Sequence, residues 1–128
     1  LSEKTGLDYL YLSSWCPGAA LHQFGVKTLE GPAFQQGMIS YSLDDFMEHF
    51  HPPFPQHIKV DVDGIEAQII HGARKTLADP RLKSLLIELN EEDPRDMELI
   101  SFLENLGLKK ILRTHSEMFN QGNHSRVY

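Results

Sequence analysis

A chain of 128 residues, 41% hydrophobic and 23% charged, is ordinary for one soluble globular domain and long enough to bury most of its apolar surface. A formal net charge of -6 and a pI near 5.6 argue against nucleic acid as a primary partner, because phosphate binding needs clustered Lys and Arg. No apolar run is long enough to span a membrane and no segment reads as a signal peptide with a basic start, so a cytoplasmic location with no membrane partner is expected.

The single cysteine, Cys16, has no internal disulfide partner, which suits a reducing compartment. The run Trp15-Cys16-Pro17-Gly18 lacks the second cysteine of a redox pair.

In chain order, Leu7 to Ser13 is rich in β-formers and alternates loosely, so a strand is expected. Residues 14–37 are rich in glycine and proline and have no helical period, which predicts an extended loop or irregular hairpin. Met38 to Tyr41 is a second short strand candidate. Ser42 then opens a helix as N-cap, with Asp44 and Asp45 in the first turn where the helix dipole favours negative charge. Leu43, Phe46, Met47 and Phe50 follow at i, i+3, i+4 and i+7 and predict one buried face. Pro52-Pro53-Phe54-Pro55 ends that helix.

A strand is expected from His57 to Val62 and a helix from about Gly64 to Leu77, with Ile65, Ile69, Ala73 and Leu77 as its apolar stripe and Ile70 beside them. Asp79-Pro80 closes it. Leu82 to Leu89 is nearly continuously apolar, as a parallel strand covered on both faces should be. Asp93-Pro94 opens a further helix with an acidic N-cap and proline at the first helical position. Its buried face is Leu99, Phe102, Leu103 and Leu106, and Gly107 is its stop. Leu108 to Leu112 is another strand candidate, and Ser125 to Tyr128 is a strand-like run. The alternation from Ser42 onward predicts an α/β fold with right-handed crossovers and a mostly parallel sheet.

The charges concentrate between Lys59 and Asn90. Lys59 and Asp61 share the strand face opposite Ile58, Val60 and Val62. Two readings stay open for them: a neighbour ion pair on a wet face, or an acid and a base delivered to a cleft at the strand's carboxyl end. Asp63-Gly64-Ile65-Glu66 fits an aspartate version of the capping box, with Asp63 at N-cap and Glu66 at N3. Gly64 suits a tight turn or a close backbone approach.

Glu88 interrupts an apolar run, and Asn90 follows on the same face. If the strands carrying Asp61 and Glu88 are neighbours, Asp61, Glu88 and Asn90 converge. The alternative is that Glu88 pairs with Lys59 or with a helix N-terminus. Convergent oxygen ligands suit a hard cation, but no metal is expected. The seven histidines show no zinc-ligand spacing, and His22 reads as a loop residue.

The run Lys59-Val60-Asp61-Val62-Asp63-Gly64-Ile65-Glu66 resembles the signature of the FkbM-type methyltransferase family: lysine, any residue, aspartate, any residue, acid, glycine, any residue, glutamate. Asp63 departs from the glutamate usual at its position and is shorter by one methylene. The resemblance extends from about Ser42 to Leu112. It takes in Ser42-Leu43-Asp44-Asp45-Phe46, Gly72-Ala73-Arg74-Lys75-Thr76-Leu77, Leu86-Ile87-Glu88-Leu89-Asn90 and Leu106-Gly107-Leu108.

The resemblance implies an S-adenosylmethionine-dependent O-methyltransferase with a Rossmann-like sheet, acting on a hydroxyl of a sugar or complex natural product. Asp61 and Lys59 would be catalytic, and Glu88, Asn90, Glu66 and Asp63 would bind the substrate. The family's first strand and glycine-rich turn are not found among these residues. The chain is therefore expected to be a single α/β domain over residues 1–128 corresponding to the C-terminal half of the family domain, the cofactor-binding half being absent. The rival expectation is a non-catalytic binding or interaction domain that retains the scaffold.

Overall fold

In a computed structural model of the chain, the described residues are 1–16, 22–25, 31–62, 64–89, 93–112, 114–115 and 126–127. They form two sheets. The first has order β2-β1-β3 and is antiparallel throughout: β1 (Gly6–Leu12) pairs with β2 (Gln23–Phe24) on one side and β3 (Phe34–Ser40) on the other. The second has order β4-β5-β7-β6, built from β4 (His57–Val60), β5 (Ser84–Leu89), β6 (Thr114–His115) and β7 (Arg126–Val127). Only β4 and β5 run parallel; β7 is antiparallel to both of its neighbours.

Among the described residues the fold is thus mixed α/β with a small parallel part and not a mostly parallel sheet, because one β–α–β step is the helical crossover between paired strands. The expected strand at Leu108 to Leu112 does not form. β7 takes the side of β5 away from β4, and Ile111 and Leu112 are exposed.

The segment expected to be irregular contains most of β3, which the sequence reading began only at Met38. Phe34-Gln35-Gln36-Gly37 has little intrinsic strand character. It is extended because its backbone completes a seven-residue ladder with β1, from Leu12↔Phe34 to Gly6↔Ser40.

Helix α1 (Leu43–Phe50) begins as expected, with the Asp45 N–H donating to Ser42 Oγ at 3.0 Å. Its apolar face is shallower than expected. Leu43, Phe46 and Met47 are half-buried, Phe50 is exposed, and Phe46 and Phe50 gather around Tyr41.

The expected single helix after β4 is two, α2 (Glu66–His71) and α3 (Arg74–Ala78), broken at Gly72-Ala73. Two contacts explain the break. A Cβ on Gly72 would collide with the carbonyl oxygens of Ser2 and Glu3, so the N-terminal segment lies directly over this point. Asp44 of α1 supplies the cap that Ala73 lacks, accepting from the Lys75 N–H, the Thr76 N–H and Thr76 Oγ1, each at 2.8 Å.

Helix α4 (Pro94–Asn105) follows its sequence signals closely. Asp93 accepts from the Arg95 N–H at 2.9 Å. The C-terminus is a Schellman motif, with Leu108 N–H on Leu103 O, Gly107 N–H on Glu104 O, and Gly107 at φ +90°.

The core lies on one side of the β4–β5 pair. Val60, Ile87 and Leu89 face Ile69, Ile70, Ala73 and Leu77 of the α2–α3 stretch and Leu99 and Leu103 of α4. The stripe expected between Ile65 and Leu77 is this core's helical wall. The opposite face is open: Leu86 is 38% exposed, so β5 is covered once and not twice.

Candidate active site

The signature crosses the carboxyl end of β4, the turn at Gly64 and the first residue of α2. The register Val60↔Ile87 makes β4 and β5 direct neighbours, so Asp61 and Glu88 each stand one residue past an aligned pair. This is the adjacency the sequence reading required for them to converge. Asp63 and Asn90 lie outside the described residues.

Alternation along the parallel pair puts Ile58, Val60, Leu85, Ile87 and Leu89 on the core face. Lys59, Leu86 and Glu88 therefore fall on the open face. Lys59 Nζ meets Asp61 Oδ2 at 2.6 Å, the two side chains being 64% and 53% exposed. The hydrogen bond to Asp61 and that carboxylate's charge hold the Lys59 ammonium above the ordinary lysine value, and Glu88 adds a smaller push in the same direction. Glu88 is half-buried on β5 and makes no ion pair among the described residues. One oxygen of Asp61 is thus committed to Lys59, and Oδ1 accepts no hydrogen bond among the described residues.

The expected capping box rests in part on Asp63, which is outside the described residues, but α2 does not start where the box would place it. The N-cap of α2 is Ile65, with no side-chain cap bond, and Glu66 is the first helical residue and not the third, the N3 position the box requires. Gly64 sits at φ +96° with open space where a Cβ would go. Its role is the left-handed turn, which shortens the link between strand and helix. Glu66 reaches back over that turn, its Oε1 accepting from the Gly64 N–H at 3.5 Å. Burial pushes the Glu66 carboxyl above its ordinary value, and the charge of Asp96 adds to the shift while backbone N–H bonds oppose it. Asp96 was not singled out from the sequence. Its signal was its place in the first turn of α4, the helix that follows β5.

A groove of about 230 Å³ borders β4, lined by Leu1, Leu43, Ile69 and Ile70 together with Lys59 and Asp61. Two other cavities, of about 420 and 530 Å³, include no signature residue. His22 lies in a loop, its Nδ1 3.3 Å from the Ser13 backbone nitrogen. Among the described residues no three His, Cys, Asp or Glu side chains are grouped to hold a metal ion. No helix among them is long and apolar enough to cross a membrane.

A parallel strand, a left-handed glycine turn and a helix, with the Lys59–Asp61 ion pair at the strand's carboxyl end, make the kind of place where open α/β sheets bind their ligands. A family model described as the methyltransferase FkbM domain matches residues 14–109. The chain belongs to the FkbM methyltransferase family. The match begins well before Ser42, so β3 and its surroundings belong to the family domain as well as the stretch that first showed the resemblance. No curated protein and no solved structure matches the chain.

Membership of a methyltransferase family points in general to S-adenosylmethionine as the methyl donor. The chain has no two glycines separated by one residue, so the Gly-x-Gly turn of dinucleotide-type sites is not among these residues.

Proposed function

We propose that this chain forms the acceptor side of an O-methyltransferase that uses S-adenosylmethionine and modifies a hydroxyl of a sugar or complex natural product. The observation that carries this reading is the Lys59–Asp61 pair on the open face at the carboxyl end of a parallel strand, inside the family signature. Family membership supports methyl transfer, and the strand-end position supports a ligand site there. The β4–α2–α3–β5 step supports a Rossmann-like arrangement for the larger domain.

A hydroxyl oxygen that gains a methyl group must lose its proton. Asp61 takes that proton at Oδ1 while Lys59 holds Oδ2 and fixes the carboxylate's direction. Such base catalysis is worth roughly 100- to 10,000-fold. Glu88, Asn90, Asp63 and Glu66 bind acceptor hydroxyls, since carboxylates and amides are strong partners for them. The site is in the cytoplasm, and neither nucleic acid nor a membrane is its partner.

The test is methyl transfer by the full-length protein to a panel of saccharide and polyketide hydroxyls, read as methylated product. Turnover lowered roughly 100-fold or more in Asp61→Asn but retained in Glu104→Gln supports the reading. A full-length protein that methylates none of them, and shows no S-adenosylmethionine binding by calorimetry, makes the chain a non-catalytic interaction domain on the same scaffold.

A further inference from the structure

The outer edge of β3 is the feature that nothing so far explains. Among the described residues β3 is the end strand of its sheet, and it runs seven residues, Phe34-Gln35-Gln36-Gly37-Met38-Ile39-Ser40, without a charge or a proline. Every second residue of such a strand turns its N–H and C=O away from its one partner, which leaves an unused ladder. Natural edges are blunted by lysine, proline, a bulge or shortness. The other sheet obeys that rule: its edge strand β4 has four residues and carries Lys59. β3 has none of these devices, and its pairing with β1 is unbroken from end to end.

Gly37 is a second, separate observation. It stands at the centre of the strand, its φ is not in the left-handed region, and a Cβ there would meet nothing within 4 Å. Neither backbone conformation nor packing among the described residues requires glycine. Glycine weakens a strand interior and is typical where another backbone comes close.

The side chains flanking the edge are apolar. Leu7 and Ile39 lie opposite one another on one face, 82% and 63% exposed, with Tyr9 beside them. The chain has a net charge of -6, so two copies repel over most of their surface. The uncharged β3 edge is where like-charged copies approach at least cost.

We propose that β3 pairs antiparallel with β3 of a second copy of this chain, on a two-fold axis near Gly37, joining two three-stranded sheets into one of six. A two-fold axis makes the contact self-complementary and closed, so association stops at two. Seven paired residues offer about 24 Å of edge. With their apolar flanks they bury less than about 1,200 Å², the low end for specific interfaces, where complexes are weak and transient. The dimer should therefore form with a Kd of roughly 10–100 µM.

Sedimentation equilibrium of the full-length protein tests this. The expected mass rises from one chain to two across that concentration range. In Ile39→Lys the midpoint moves up about tenfold or more, because a charge is placed on each copy at the joint. Hydrogen exchange on the unaltered protein gives a reading independent of the variant. Amides within residues 34–40 should gain protection as concentration rises, while those of β1 do not change. A single-chain mass at hundreds of micromolar overturns the proposal. So does a dimer unaffected by Ile39→Lys. Protection of the β3 amides that is independent of concentration would assign the edge to a strand of the same chain, which equally overturns it.

Discussion

β1 and β5 are built from similar residues, Gly-Leu-Asp-Tyr-Leu-Tyr-Leu in one and Ser-Leu-Leu-Ile-Glu-Leu in the other, yet they meet opposite fates. Ile87 of β5 is 0% exposed, whereas Leu7 of β1 is 82% exposed. The difference is the presence of helices. β5 has α2, α3 and α4 against one face, and the antiparallel sheet has no helix packed on either of its faces among the described residues. A strand's apolar content therefore says that it will pair, and the helices around it decide whether it joins the core. The signature residues occupy the region with the core, where a rigid scaffold can hold a side chain's direction.

Deleting core contacts should separate the two regions most sharply. Ile87→Ala should cost about 2–5 kcal/mol through lost transfer energy and a residual cavity. Leu7→Ala should stay within about 0.5 kcal/mol. Chemical denaturation gives both values, and equal midpoints would mean that the antiparallel sheet is as deeply integrated as β5.

On the signature itself, Asp61→Asn keeps the side chain's shape and removes its basicity. Methyl transfer by the full-length protein should fall by roughly 100-fold, about 2.7 kcal/mol, with thermal unfolding nearly unchanged because the side chain is exposed. Full turnover combined with early melting would make the strand-end pair structural.

Asp44→Ala should destabilise by about 1–3 kcal/mol, because it strips three hydrogen bonds from the start of α3. Thr76→Val removes one of the same bonds, so the double variant should be less destabilised than the sum of the two. Strict additivity in urea titrations would show that Asp44 acts through α1 alone.

The smallest expected effect is a pH dependence. Burial raises the Glu66 carboxyl in the folded chain, so the folded state holds that proton more tightly than the unfolded one. Stability from this group is fully present below the ordinary glutamate value and declines as pH rises from there through the raised one. Glu66→Gln should leave stability at pH 4 almost unchanged and raise it at pH 7. A variant less stable at pH 7 would mean that the carboxylate is held by contacts stronger than its burial cost.

Much of the parallel half was legible in the sequence because its signals are local. Ser42, Asp93 and Gly107 mark helix ends by chemistry confined to a few residues, and the Ile69–Leu77 spacing marks the buried face. What the sequence could not show depends on distant chain. β3 from Phe34 to Gly37 exists because β1 is opposite it, and the break at Gly72 exists because residues 2 and 3 pass over it. The helix start expected from the capping box was displaced for a related reason. Gly64 takes a left-handed turn that postpones the helix to Glu66, a choice that no residue count reveals. At the site, the shared face of Lys59 and Asp61 was readable from period-two alternation, while the β4–β5 adjacency stayed a condition that only the sheet register meets. The proximity of Asp96 to Glu66 was not, since it depends on how α4 is placed against α2.

The Asp44 bonds have a consequence for the order in which the chain assembles. A five-residue helix such as α3 is far below the length that sustains itself, because nucleation costs more than so few bonds return. Its first N–H groups are satisfied by a carboxylate 31 residues upstream, so α3 comes into being only when α1 has docked. That docking closes a loop holding β4, the Gly64 turn and α2. The amides of Lys75 and Thr76 are therefore reporters for a remote event. They should exchange with solvent when α1 leaves, in step with the whole loop, and not through fraying at their own helix end.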